Sequence, residues 1–161
     1  FTSLSLIRSG GAEQHGRILG ADATNSWSFT ADGGRVGSLL FSGFEEWQGG
    51  SGSDTLTGPA GDSTWAITGP NAGTIGGVSF SGMENLTGGA GTDTFALSAE
   101  GSISGILNGG GGADVLDLSA LAGPITVNLA SSSSTAVHRF TSIAKVVGGP
   151  GDDSLLGPNA N

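Results

Sequence analysis

Apolar side chains along this chain fall into short runs with three recurring rhythms. In the first, an apolar residue stands two places after an Asp that closes a glycine-rich turn: Leu56 after Asp54, Phe95 after Asp93, Leu116 after Asp114 and Leu155 after Asp153. In the second, apolar residues recur at every third position, as Phe41, Phe44 and Trp47, then Phe80, Met83 and Leu86, then Phe140, Ile143 and Val146, with Phe1, Leu4 and Ile7 matching them. The third alternates apolar with small side chains: Trp65-Ala66-Ile67, Ile125-Thr126-Val127 and Trp27-Ser28-Phe29. Alternation of this kind marks a strand. Glycine turns break the chain about every 10 to 20 residues, so helices are not expected. The stretch from Phe80 to Leu86 comes nearest to one.

The turn itself repeats. Gly49-Gly50-Ser51-Gly52-Ser53-Asp54-Thr55-Leu56-Thr57 returns with edits at Gly88 to Ala96, Gly109 to Asp117 and Gly148 to Leu156. A degraded copy runs from Gly10 to His15, with His15 in the aspartate's place. Starts at Gly10, Gly49, Gly88, Gly109 and Gly148 give a period of about 39 residues, broken once, between Gly88 and Gly109, by a step of roughly half that length. Residues 1–161 thus read as a single segment divided into units 10–48, 49–87, 88–108 (a half unit), 109–147 and 148–161. Short strands between glycine turns cannot bury an apolar face alone and must stack on their neighbours. The expected fold is all-β, a parallel β-solenoid (β-roll or β-helix) of about eight coils with ~20 residues per coil. At a strand spacing of ~4.8 Å its length would be roughly 38 Å. A propeller would want four strands per blade and a His with a Trp-Asp signature that is absent here. The repeat positions place Leu56, Phe95, Leu116 and Leu155 in the core beneath the turns, with Phe41, Phe80 and Phe140 opposite. The three Trp and seven Phe are read as core ladder rather than a ligand box.

Composition narrows the partners. Five Lys and Arg against fourteen Asp and Glu leave a net charge of -9, which disfavours nucleic acid and anionic lipid. No cysteine is present, which excludes a disulfide framework and a thiolate metal site. No apolar run approaches the ~20 residues of a membrane span. The start at Phe1, with no basic stretch and apolar region behind it, reads as a piece of something longer.

The pattern Gly-Gly-x-Gly-x-Asp-x-apolar-x, as in Gly49 to Thr57, resembles the nonapeptide of the RTX, or haemolysin-type calcium-binding, proteins. The wider arrangement of Gly58-Pro59, Thr64-Trp65, Phe80 to Leu86 and Gly88 to Asp93 is similar to repeat regions of very large bacterial secreted and surface proteins. The resemblance implies a parallel β-roll or solenoid, export from the cell, and calcium held between glycine–aspartate turns of successive coils. It makes Asp54, Asp93, Asp114 and Asp153 the candidate calcium ligands. On a lattice of ~20 residues one edge would run Asp32, Asp54, Asn71, Asp93, Asp114, Ser132, Asp153, and Asp93 with Asp114 is its best placed acidic pair. Calcium takes six to eight oxygens, which turn carbonyls and two carboxylates could supply. The sequence departs from the family in that its nonapeptides stand mostly alone. Gly58 to Ala66 follows a nonapeptide directly but carries Asp62 one place early. The alternative is that each Asp accepts hydrogen bonds within its own turn.

Catalytic constellations are not evident. The two histidines are His15, in the decayed turn, and His138, just before a core strand, and no Ser is flanked as a nucleophile elbow. Glu45-Glu46 and Asp152-Asp153 are the adjacent acid pairs, and neighbours in a strand point to opposite faces. The chain is therefore not expected to be an enzyme, and a carbohydrate-active β-helix is a distant alternative. The leading expectation is a structural repeat module of a long extracellular bacterial surface protein or fibre, an adhesin-like stalk. Its partners would be itself or flanking repeats, head to tail, and cell-surface glycans. A calcium-dependent RTX-type secretion and folding module is the rival.

Overall fold

The computed structural model describes residues 5–7 and 16–158, with side chains from residue 16 onward. The decayed turn at Gly10 to His15 lies outside the described residues, as do Phe1 and Leu4. Nineteen strands and no helix make up what is described. In chain order they are β1 (Ser5–Ile7), β2 (Gly16–Leu19), β3 (Ser26–Thr30), β4 (Gly33–Val36), β5 (Leu39–Phe41), β6 (Phe44–Gln48), β7 (Thr55–Thr57), β8 (Thr64–Gly69), β9 (Ala72–Ile75) and β10 (Val78–Ser81). They continue as β11 (Asn85–Gly89), β12 (Thr94–Leu97), β13 (Ile103–Gly110), β14 (Val115–Asp117), β15 (Thr126–Asn128), β16 (Ser133–Ser134), β17 (Val137–Thr141), β18 (Lys145–Val147) and β19 (Ser154–Leu156). The stretch from Phe80 to Leu86 is thus the end of β10, a corner and the start of β11.

Two sheets carry the fold. The first runs β1-β2-β6-β10-β9-β8-β12-β14-β18, and the second β17-β13-β11-β7-β3-β4-β5. A small third group, β16-β15-β19, follows the second, with β16 lying against β17. The chain leaves a strand of the first sheet, turns a first corner into the second, and returns through a second corner to the first, one coil further on. Parallel pairings between coils follow: Trp47 beside Ile18, Leu86 beside Leu56, Phe95 beside Trp65, Leu107 beside Leu86 and Val146 beside Leu116. The solenoid has about five turns.

The expected eight coils are corrected to that number, and the cause lies in three meanders. β3, β4 and β5 form one in the second sheet and β8, β9 and β10 one in the first; in the third, in the group that follows the second sheet, β15 pairs with β16 and β16 lies against β17. In each, the first strand pairs forward with the next coil (β3 with β7, β8 with β12, β15 with β19). In the latter two, the last strand pairs back to the previous coil (β10 with β6, β17 with β13). A meander therefore puts three strands where a plain coil has one. Coils that contain one stack at offsets of roughly 30 residues, as in Phe80 beside Trp47 and Ser154 beside Thr126, whereas the plain coil from Leu86 to Leu107 keeps close to the expected ~20.

This geometry explains the spacing of the glycine turns. One unit is a turn and a half of solenoid plus the two added meander strands, so successive copies of the glycine turn fall on opposite corners and successive meanders on opposite sheets. The 88–108 half unit is instead one complete plain coil. Local chemistry agrees with the equivalence: Gly43, Gly82 and Ser142 hold the same place after a meander with φ of 74°, 62° and 53°, and Asn71 and Ser132 occupy equivalent hairpin turns at 54° and 51°. Gly and Asn enter this left-handed region most easily. In the serine run from Ser131 to Ser134, the last two residues form β16.

The core lies between the sheets. Trp27, Trp47, Trp65, Phe95, Leu56, Leu86, Leu107 and Leu116 are fully buried in coil-to-coil columns. Trp65 stacks on Phe95 with centroids 5.4 Å apart, and Trp27 on Trp47 at 6.3 Å. Trp27 meets Phe41 edge-on as Trp65 meets Phe80, the same contact in two meanders. Phe80 and Phe140 are buried as expected and Phe41 is half-buried against Trp47. Leu155, expected in the core, is 69% exposed, because its β19 pairs with β15 alone in that group.

Candidate functional site: the aspartate corners

The glycine-rich segments turn tightly at the corners, and each places its Asp at the entrance to the next strand. The single edge expected from the sequence divides. Asp54 sits at the first corner, between β6 and β7, and Asp153 at the crossing from β18 to β19. Asp93 and Asp114 sit at the second corner in adjacent coils, before β12 and β14. Asp32, Asn71 and Ser132 belong to meander hairpins instead.

One contact is common to all four predicted aspartates. Each uses Oδ1 to accept the backbone N–H of the residue stacked on it in the coil before: Asp54 from Asn25 at 2.7 Å, Asp93 from Ser63 at 2.8 Å, Asp114 from Asp93 at 2.7 Å and Asp153 from Ile125 at 3.0 Å. The backbone continues each link, since the residue after the Asp donates its N–H to the carbonyl of the same partner: Thr55 to Asn25, Thr94 to Ser63, Val115 to Asp93 and Ser154 to Ile125. The alternative to calcium had each Asp bonded inside its own turn. The structure shows a bond between coils, and only Asp54 adds one within its turn, from Gly50 N–H to Oδ2 at 2.7 Å.

Around Asp54 the corner is densely bonded. The Asn25 side-chain amide donates a second bond to Oδ1 at 2.7 Å, and the Asp54 N–H donates to Glu84 Oε2 at 2.8 Å, so three coils meet there. At the second corner Asp62, the residue one place early in its nonapeptide, accepts the Thr92 N–H at 2.7 Å. Ser63 donates its hydroxyl to Asp93 Oδ1 beside its N–H. Asp93 and Asp114 are 0% exposed, and the Oδ2 of each is buried without a donor. Burial pushes the Asp93 carboxyl above the ordinary carboxylate range; the Ser63 bonds pull it back, and the negative charges of Asp114 and Asp62 add to the rise.

Sequence reasoning missed the partners Asn25, Ser63 and Glu84. They lie 29 or 30 residues from their aspartates. The louder repeat of the glycine turn conceals that spacing.

The four aspartates are not gathered into one cage, and among the described residues no group of three or more His, Cys, Asp or Glu stands where it could hold a metal ion. Tested against calcium, the best pair fits poorly as arranged: the Oδ1 atoms already hold amides, and the Oδ2 atoms lie where a Cβ on Gly88 or Gly109 would come. His138 is exposed in a shallow groove of about 430 Å³ that Asn71, Ser104 and Thr135 help to line. Glu46 pairs with Arg17 at 3.8 Å on the open face of the first sheet, both about half exposed. A comparison with protein-family models finds no match, and neither the curated proteins nor the solved structures supply one.

Proposed function

We propose that this chain is a structural repeat module of a long extracellular bacterial surface protein or fibre, a stalk that continues head to tail into flanking repeats or copies of itself. One observation carries the reading. Coils pair in parallel register along both sheets, so each coil offers the next the same backbone edge and the same column of core side chains. A solenoid of this kind grows by adding coils and needs no new interface. Its acidic surface suits a solvated spacer.

The test is a tandem duplicate of residues 1–161 beside the single chain in negative-stain microscopy. A stalk module gives one continuous rod of about twice the length; two separate particles on a string would contradict the reading. The rival, a calcium-dependent secretion module, draws on the two buried carboxylate oxygens of Asp93 and Asp114 that lack donors, which an ion could satisfy if the corner rearranged.

A further inference from the structure

We infer that the glycine–aspartate motif of this protein is a direct clasp between coils that closes without a metal ion. The inference goes beyond the stalk reading and stands or falls separately from it. It begins from the repeated bond: four motifs, divided between the two corners, all commit Oδ1 to an amide of the preceding coil. A carboxylate bridging coils through calcium would spend its oxygens on the ion. Here the ion's place between coils is taken by the amide itself.

What happens at Oδ2 makes the clasps differ and gives the inference its test. A Cβ on Gly88 would run into both Asp93 Oδ2 and the Gly109 carbonyl oxygen; one on Gly109 would run into both Asp114 Oδ2 and the Ser142 carbonyl oxygen. Each orphan oxygen therefore shares a small gap with a backbone carbonyl, acceptor facing acceptor. An amide nitrogen at that position would supply the missing donor. At Asp54 a Cβ on Gly49 would likewise meet Oδ2 and the Gly82 carbonyl oxygen, but here neither oxygen is an orphan: Oδ1 receives donors from Asn25 and Oδ2 receives the Gly50 N–H. An amide there sets an NH2 group against an N–H whichever way round it sits. Direct clasps thus tolerate Asn at 93 and 114 but not at 54, whereas calcium ligation would be weakened by Asn at any of the three.

The experiment is thermal melting of the full chain and its Asp93→Asn, Asp114→Asn and Asp54→Asn variants, each in chelator and in millimolar calcium chloride. The exposed Glu100→Gln serves as a control for lost charge. The clasp predicts that Tm of the unsubstituted chain is the same in both buffers. It also predicts that the 93 and 114 variants melt at or above the control, and that the 54 variant melts about 5 °C or more below it. A calcium-induced rise in Tm of the unsubstituted chain would overturn the inference, and that reading needs no variant to fold. So would a loss at 93 and 114 as large as the loss at 54.

Discussion

At the scale of single residues, the chain repeats a few side-chain roles and changes the residue that fills them. Phe80 is one: 2% exposed and edge-on to Trp65, it occupies the place that Phe41 holds against Trp27 in another meander. Truncating it removes packing on which the β8–β10 meander depends. Phe80→Ala is expected to cost on the order of 3 to 5 kcal/mol in denaturant unfolding. A loss below about 1 kcal/mol would mean the meander is not part of the core. The identity of these core residues was legible in the sequence because burial leaves an apolar record at each repeat. The corner partners were not. Asn25, Ser63 and Glu84 are common polar residues, and their selection depends on which coil lies alongside, which no local pattern states.

At the scale of elements, strands and turns followed from glycine punctuation and alternation, but their pairing did not. β4 and β9 are the strands that change the topology: short, built around Gly34 and Gly73, and antiparallel to both neighbours. Gly73 is one place where the packing requires glycine, because a Cβ there would strike the Ala66 carbonyl across the ladder. So little side chain leaves a weak hydrophobic signature, since Val36 and Ile75 are the one buried apolar side chain of each strand, and neither strand was picked out from the sequence. β9 lies inside the first sheet and β5 at the edge of the second. Proline removes a ladder donor and is tolerated at edges. Thr74→Pro in β9 should therefore cost about 3 kcal/mol or more, and Leu40→Pro in β5 clearly less, by chemical denaturation. Equal costs would show that β9 is not held between two neighbours.

At the scale of the whole molecule, the meanders set the proportions. They fall in the second sheet, the first, and the group that follows the second, so both sides of the solenoid gain strands. The first sheet has nine strands although the solenoid has about five turns. At ~4.8 Å per strand that spans about 38 Å, the length expected from eight plain coils. The solenoid class was legible because a glycine turn with an apolar follower needs stacked neighbours. The coil count was not, because a repeat of one and a half turns carries no sign in the sequence that its copies face opposite ways.

The central claim is that coils with a meander stack at offsets of roughly 30 residues, so that equivalent positions in successive full units lie on different sheets. A chain without native cysteine allows a clean test by paired substitution. Thr57 and Thr87 are register partners on β7 and β11 in the second sheet, whereas Ala96, which ends the next copy of the motif as Thr57 ends its own, lies on β12 in the first. Neighbouring strands lie ~4.8 Å apart and disulfides form over roughly 4.4 to 6.8 Å between α-carbons, while facing sheets are about 10 Å apart. Under mild oxidation Thr57→Cys with Thr87→Cys should close an intramolecular disulfide, and Thr57→Cys with Ala96→Cys should remain reduced. Closure of the second pair in preference to the first would contradict the account.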